Sequence, residues 1–494
     1  MGPDFCDSPP SSSSSTASSH HVVLFPFMSK GHTIPLLQLA RLFLNRHHFA
    51  VTVFTTPANR PFIVHTLSDT AASVIDLPFP DNIPGIPSGV ESTDKIPFSS
   101  MSVFYSFAAA TKLMQPHFEQ ALQSLLLPPR YSFIVSDGFL WWTLESAAKF
   151  GLPRLVFYGM CVYSNSLSRI VAKNRLLPHL DDNNNDESKS ITVTPFPWIS
   201  VKRNDFPPVF TELVYSKGLA SEFHLNCLKS TENSFGLIFN SFYELEAVFI
   251  EYWKQNLLPK PWCVGPFCLA EPKAWPRPTK PAWIEWLDQK LEQGSSVLYV
   301  AFGSQAEVST QQLEEIAIGL EESMVNFLWV VRKNELELTD NSDGFEERVK
   351  DRGMVVRDWV DQREILMHES VHGFLSHCGW NSVLESICAG VPILAWPVMA
   401  EQPLNAKMVV EEIKVGLRAE TCDGSLKGLV KWESLKKMVK ELMEGEMGKE
   451  VRKKVKKVAE MANKAVVEGG SSWWALESLT DEICKENKSS KCGD

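Results

Sequence analysis

Residues 359–402 read WVDQREILMHESVHGFLSHCGWNSVLESICAGVPILAWPVMAEQ. Within this stretch Gly373–Ser376 reads as a short strand, Cys378-Gly379 turns the chain, and Trp380-Asn381-Ser382 opens a helix that Gly390 ends. Val391–Ala395 is a second strand, broken by Trp396-Pro397. In open parallel sheets, ligands lie where strand carboxyl ends meet helix N termini. A helix start of this kind offers unbonded backbone N–H groups and the positive end of a dipole, so it binds an anion without a metal. Asn381, Ser382 and His377 add side-chain donors. Glu385 lies one turn beyond Asn381 and Ser382 on the same face; a carboxylate there suits a pair of hydroxyls and would repel phosphate alone. The alternative reading is a buried strand-turn-helix in which Asn381 is only a cap.

The same strand-loop-helix unit recurs outward from this stretch. Val297–Phe302, Phe327–Val331 and Gly353–Val356 read as strands, with helical patterns between most of them. In the first half, Val22–Phe25 is followed by Gly31-His32, with Thr33 as N-cap and Pro35 as a first-turn residue of a helix through Leu36–Leu44. Val51–Phe54 runs into Thr55-Thr56-Pro57, and Phe133–Val135 into Ser136-Asp137-Gly138 before a helical stretch through Ala148. Such alternation predicts an α/β chain of two doubly wound parallel sheets. From about Leu176 to Pro208 the pattern fails in a polar and proline-rich surface excursion. The proline-rich stretch 266–281 is the linker. It separates a domain over 20–265 from a second over 282–472, and 473–494 form a last helix and a polar tail. Residues 1–19 are Ser-rich and poor in large apolar groups, the composition of a mobile tail. The Lys- and Arg-rich stretch Lys436–Lys464 reads as a solvated helix face, and Trp473-Trp474 as the apolar side of the terminal helix.

A chain of 494 residues supports two cores, and a formal net charge of −11 argues against a nucleic-acid surface or attraction to anionic lipid. The 10 cysteines show neither a CxxC pair nor a disulfide framework, which fits a reducing compartment. No signal peptide and no integral membrane segment is read, so the expected location is cytoplasmic.

Together with Trp359, Gln362, Pro392, Glu401 and Gln402, the opening stretch resembles the signature box of plant UDP-dependent glycosyltransferases. The resemblance runs from His20 to about Cys484 and implies the GT-B architecture, two Rossmann-like domains facing a cleft. It makes Trp359 the stacking platform for uracil, with Val360 beside it and Gln362 reading the base or ribose. His377, Trp380, Asn381, Ser382 and Ser304 become diphosphate contacts, Glu385 the ribose carboxylate, and Glu401 with Gln402 the pair on the sugar hydroxyls. Gln402 is the residue type found with glucose donors. Asp361 departs from the family, which usually has Pro there. UDP-glucose is then a co-substrate, and neither cofactor nor metal is implied. The terminal helix is expected to cross back onto the first domain.

Sugar transfer to a hydroxyl needs a base for the acceptor proton while UDP leaves. Gly31-His32-Thr33-Ile34-Pro35 matches the family's GHxxP motif and makes His32 that base. Asp137 aligns with the acid that orients it, as the third member of a triad does. Direct displacement with inversion follows, giving a β-glucoside. Phe107, Trp141, Trp142 and the region of Tyr158 are candidates for an apolar acceptor cleft or for core. Phenolics, flavonoids or terpenoids are the acceptors implied by resemblance. The rival readings are a nucleotide-sugar epimerase, a UDP-sugar-binding sensor without catalysis, and a hydrolase built on His377-Cys378.

Overall fold

The computed structural model describes residues 20–47, 49–96, 101–125, 131–177, 189–206, 218–271, 279–332, 344–423, 425 and 428–489. The Ser-rich tail, the middle of the linker (272–278), most of the polar excursion (178–188 and 207–217) and the last five residues lie outside them.

Short runs of branched and aromatic residues, buried on both faces, build two all-parallel sheets. The first contains β1 (His20–Phe25), β2 (Ala50–Thr55), β3 (Ser73–Asp76), β4 (Tyr131–Asp137) and β5 (Arg154–Tyr158). A separate antiparallel hairpin, β6 (Ile191–Val193) and β7 (Phe196–Val201), precedes β8 (Gly236–Phe239) and β9 (Pro261–Cys263), which complete that sheet. Its order is β3-β2-β1-β4-β5-β8-β9. The second sheet is built from β10 (Val297–Ala301), β11 (Asn326–Val330), β12 (Gly353–Val356), β13 (Val371–Ser376), β14 (Ile393–Ala395) and β15 (Gly416–Arg418), in the order β12-β11-β10-β13-β14-β15. Strand order reverses between β1 and β4 in one sheet and between β10 and β13 in the other. Connections there leave in opposite directions and open a crevice at the carboxyl ends. His32 and Asp137 follow β1 and end β4; Ser304 and His377 follow β10 and β13.

Three local expectations are corrected. The first helix, α1 (Lys30–His47), begins before Thr33, so Thr33 lies in its opening turn and Pro35 in its interior. Ser29 O accepts from the amides of both His32 and Thr33, which closes that turn early. The polar excursion is not all surface, because Val193, Phe196, Ile199 and Val201 of the hairpin are buried beside Tyr163 and Phe249; Pro195 and Pro197 had masked the alternation. The terminal helix Ser471–Ser489 packs Leu476, Leu479 and Ile483 against the first sheet, whereas Trp474 is 59% exposed and gives it no apolar side.

One apolar core crosses from domain to domain. Val156, Cys161, Tyr163 and Leu237 of the first pack into a single cluster with Cys378, Trp380, Ile387 and Leu404 of the second. Hydrogen bonds reinforce it: Trp380 Nε1 donates to Asn240 O (2.7 Å) and Cys161 Sγ to Asn405 Oδ1 (3.3 Å). A large hydrophobic junction opposes free relative motion of domains, so the back of the crevice is fixed.

Arg154, at the start of β5, is 1% exposed and ties the end of β4 in place. Its guanidinium donates to Ser136 Oγ (2.8 Å), Thr143 Oγ1 (2.9 Å), Ser230 Oγ (2.9 Å) and Ser234 Oγ (2.8 Å). Burial depresses its pKa to about 10, still charged at neutral pH. Removing the guanidinium leaves a polar cavity, so Arg154→Ala is expected to lower unfolding free energy by about 3 kcal/mol; urea denaturation of the two proteins measures it.

Candidate active site

The crevice is a cavity of about 2500 Å³ lined from both domains, ample for a nucleotide-sugar and a second molecule. On the first domain, His32 sits in the opening turn of α1. Its Nδ1 donates to Asp137 Oδ2 at 2.6 Å, and Asp137, 0% exposed, also accepts from Phe139 N through Oδ1 at 2.9 Å. That bond fixes the neutral tautomer with its lone pair on Nε2. Phe27 and Phe139 flank the ring, with centroids 5.6 and 5.0 Å away. Burial works against the imidazolium, but the charge and hydrogen bond of Asp137, aided by Glu401 and Asp94, outweigh it and hold the His32 pKa above its ordinary value.

Across the crevice, β13 ends at His377 and the helix Trp380–Ala389 starts three residues on. Cys378 makes the turn in a left-handed conformation (φ 63°), and its amide bonds Ser376 Oγ at 3.1 Å. His377 is clamped between two glycines. A Cβ on Gly303, itself at φ +75°, would stand 2.7 Å from His377 Nε2, and one on Gly379 2.6 Å from it. Burial lowers the His377 pKa to about 4, so the ring is neutral. His377 Nδ1 and Asn381 Oδ1 are buried without a hydrogen-bond partner. Among the described residues, no three His, Cys, Asp or Glu side chains converge where a metal ion would be held.

Gln362, Ser382 and Glu385 form one network. Gln362 Nε2 donates to Ser382 Oγ (2.8 Å) and to Glu385 Oε2 (2.7 Å), and its Oε1 lies 3.4 Å from Tyr299 OH. Burial pushes the Glu385 carboxyl up to about 7. Asp361 caps the helix Gln362–Leu366 by accepting from Glu364 N at 3.2 Å, a restraint on the loop that leads into it. Trp359 is 64% exposed at the cavity wall, unlike a core tryptophan. Val360 is buried under it in the second-domain core, so only its backbone can meet a base.

Trp380 enters the site differently from the other donor residues. Its indole is 1% exposed and committed to Asn240 O, so it can serve a ligand through its first-turn backbone N–H alone. Gln402 is also buried; its Oε1 accepts from Val398 N (3.0 Å) and Met399 N (2.9 Å), which leaves Nε2 as its ligand-binding group. Burial raises the pKa of its neighbour Glu401. Ser304 Oγ donates to Asp94 Oδ1 of the first domain at 2.9 Å, and Asn381 Nδ2 to Gly31 O at 2.7 Å.

The latter bond is explained by Pro35. Proline has no N–H for the carbonyl four residues back, so Gly31 O is released from the α1 ladder and bonds the opposite domain. That offset was readable in the sequence; Asp94 and Gln305, which join the domains, carried no such signal. The apolar part of the cavity is lined by Phe27, Phe104, Tyr105, Phe139, Tyr158 and Phe206. Of the aromatics named from sequence only Tyr158 is there; Phe107 and Trp142 are fully buried core, and Trp141 packs under Lys112. Gly303→Ala adds strain at a positive φ and pushes on His377; it is expected to weaken UDP binding about tenfold, equivalent to ~1.4 kcal/mol, by titration calorimetry.

Residues 270–459 match the family model described as UDP-glucoronosyl and UDP-glucosyl transferase. UDP-glycosyltransferase 90A1 of Arabidopsis thaliana is 58% identical over 475 residues, covering 95% of this chain and 97% of the relative. The structure of Glycyrrhiza uralensis UGT73P12 complexed with glycyrrhetinic acid 3-O-monoglucuronide superposes with a TM-score of 0.83 at 31% identity, over 96% of this chain and 97% of the other. Medicago truncatula UGT71G1 complexed with UDP-glucose does so with a TM-score of 0.75 at 29% identity, over 94% and 98%. The two parallel-sheet domains and their crevice are therefore the GT-B architecture, and the chain belongs to the plant UDP-dependent glycosyltransferases, an enzyme family that transfers sugars from UDP-sugar donors.

Proposed function

We propose that this enzyme transfers glucose from UDP-glucose to a hydroxyl of a small lipophilic acceptor, with inversion, in the cytoplasm. The observation that carries the reading is the 2.6 Å His32–Asp137 pair, its carboxylate buried and its imidazole open to the crevice, opposite the wall that holds the signature box. His32 Nε2 takes the acceptor proton as its oxygen bonds to the anomeric carbon. The bond from that carbon to the diphosphate breaks, and its electron pair leaves with UDP. Asp137 stabilises the imidazolium. One displacement inverts an α-linked donor to a β-glucoside.

The leaving charge falls on the N terminus of the helix Trp380–Ala389, with Asn381, Ser382 and neutral His377 as donors, so the reading needs no metal. Gln402 Nε2 and Glu401 face the sugar hydroxyls, the pairing expected for glucose. Rings of Phe27, Phe104, Phe139 and Tyr158 favour a flat phenolic or flavonoid acceptor over a charged one. The bound UDP-glucose of the Medicago relative supports the donor, not the acceptor.

Incubation with UDP-glucose and a panel of phenols, read by mass spectrometry, should give a monoglucoside; free glucose or an epimerised donor alone would overturn the reading. His32→Ala is expected to lower kcat by about 10³-fold or more, within the range of general-base catalysis, while UDP still binds. A raised His32 pKa leaves the base protonated at low pH, so kcat/KM should climb with pH through a midpoint above the ordinary histidine value of 6.5. A midpoint below it would remove His32 from the proton transfer.

A further inference from the structure

Resting on the roles given above to His32 and the donor box, we propose that Asp94 is a positioning residue of the transfer, one that ties the opening turn of α1 to the donor loop Ser304-Gln305 and yields Ser304 to the arriving diphosphate. Asp94 lies on the short turn Thr93–Lys95 of the first domain. Its Oδ2 accepts from Lys30 N and from Ser92 Oγ, both at 2.9 Å. Lys30 N is a first-turn amide of α1 with no helical partner, and a carboxylate there is favoured by the dipole. The carboxylate is thus anchored two residues from His32.

Its other oxygen reaches the opposite domain. Oδ1 accepts from Ser304 Oγ at 2.9 Å, and Gln305 Nε2 adds bonds to Ser29 Oγ (2.7 Å) and Thr93 Oγ1 (2.8 Å) on either side. Ser304 stands beside Gly303 at the end of β10, against the His377 ring that closes the diphosphate corner. A hydroxyl has one proton to donate. While Ser304 gives it to Asp94 it has none for phosphate, and two anions in one corner repel. Donor entry therefore turns the Ser304 hydroxyl, its proton still on Oγ, from carboxylate to phosphate and loosens the bridge.

The same charge is felt by the base. The groups facing His32 are Asp137 from β4, Glu401 from the loop after β14, and Asp94. Lys30 of α1 faces Asp94 in turn, with Lys95 beside it. Asp94 thereby couples occupancy of the donor corner to the basicity of His32.

Asp94→Asn keeps an oxygen for Lys30 N and removes the charge; Asp94→Glu restores it. Steady-state kinetics of the full chain, with UDP-glucose varied and pH scanned, are compared with wild type. For Asp94→Asn the KM for UDP-glucose should fall about threefold and the acidic limb of kcat/KM should move to lower pH, while Asp94→Glu should return both towards wild type. A bridge with only a structural role predicts an unchanged or higher KM and an unmoved limb, and that result overturns the inference. His32→Ala supplies the control: full turnover there sinks the base assignment and this coupling with it, whereas an inactive His32→Ala beside an unaltered Asp94→Asn overturns Asp94 alone.

Discussion

The apolar core shared between the domains sets the spacing on which the chemistry depends. Val156, Tyr163 and Leu237 on one side and Trp380, Ile387 and Leu404 on the other exclude water from a single cluster, and the indole of Trp380 fixes its register through Asn240 O. Both sheets reverse strand order at the carboxyl ends that face each other, so each contributes its switch point to one crevice. His32 after β1 and the helix start after β13 face one crevice at a set spacing because the floor between them is packed rather than hinged.

Within that crevice burial acts on titratable groups in opposite directions. At His377 it meets no compensating carboxylate, and the ring is neutral with a pKa of about 4. At His32 the same cost is exceeded by Asp137, Glu401 and Asp94. Two histidines about one crevice are thus assigned different duties by their neighbours. Glu385, pushed up to about 7 by burial, is held by Gln362.

Sheet class and the linear donor box were legible because each rests on local pattern. Strand-turn-helix periodicity and a helix start after His377 need only neighbours in sequence. What escaped depends on distant partners. Trp380 reads like its neighbours in the box, yet its side chain is spent on the other domain. Phe107 and Trp142 are core because they pack among Phe27, Phe79, Phe25 and Phe118, while Phe104 and Phe139 line the cavity, and no spacing distinguishes the two pairs. The hairpin at Ile191–Val201 was hidden by prolines that edge strands tolerate. Arg154, a buried cation held by four hydroxyls and the Asp137 carbonyl, has no linear signature.

Pro35 interrupts the hydrogen-bond ladder of α1 one turn after it begins, and the oxygen it releases belongs to the residue before His32. A gap in one element's internal bonding thus becomes a bridge: the side-chain amide of Asn381 rests on the peptide that carries the imidazole, so the helix Trp380–Ala389 and the His32 ring are joined through one covalent link. In this chain a helix breaker is the wiring between the two walls of the crevice.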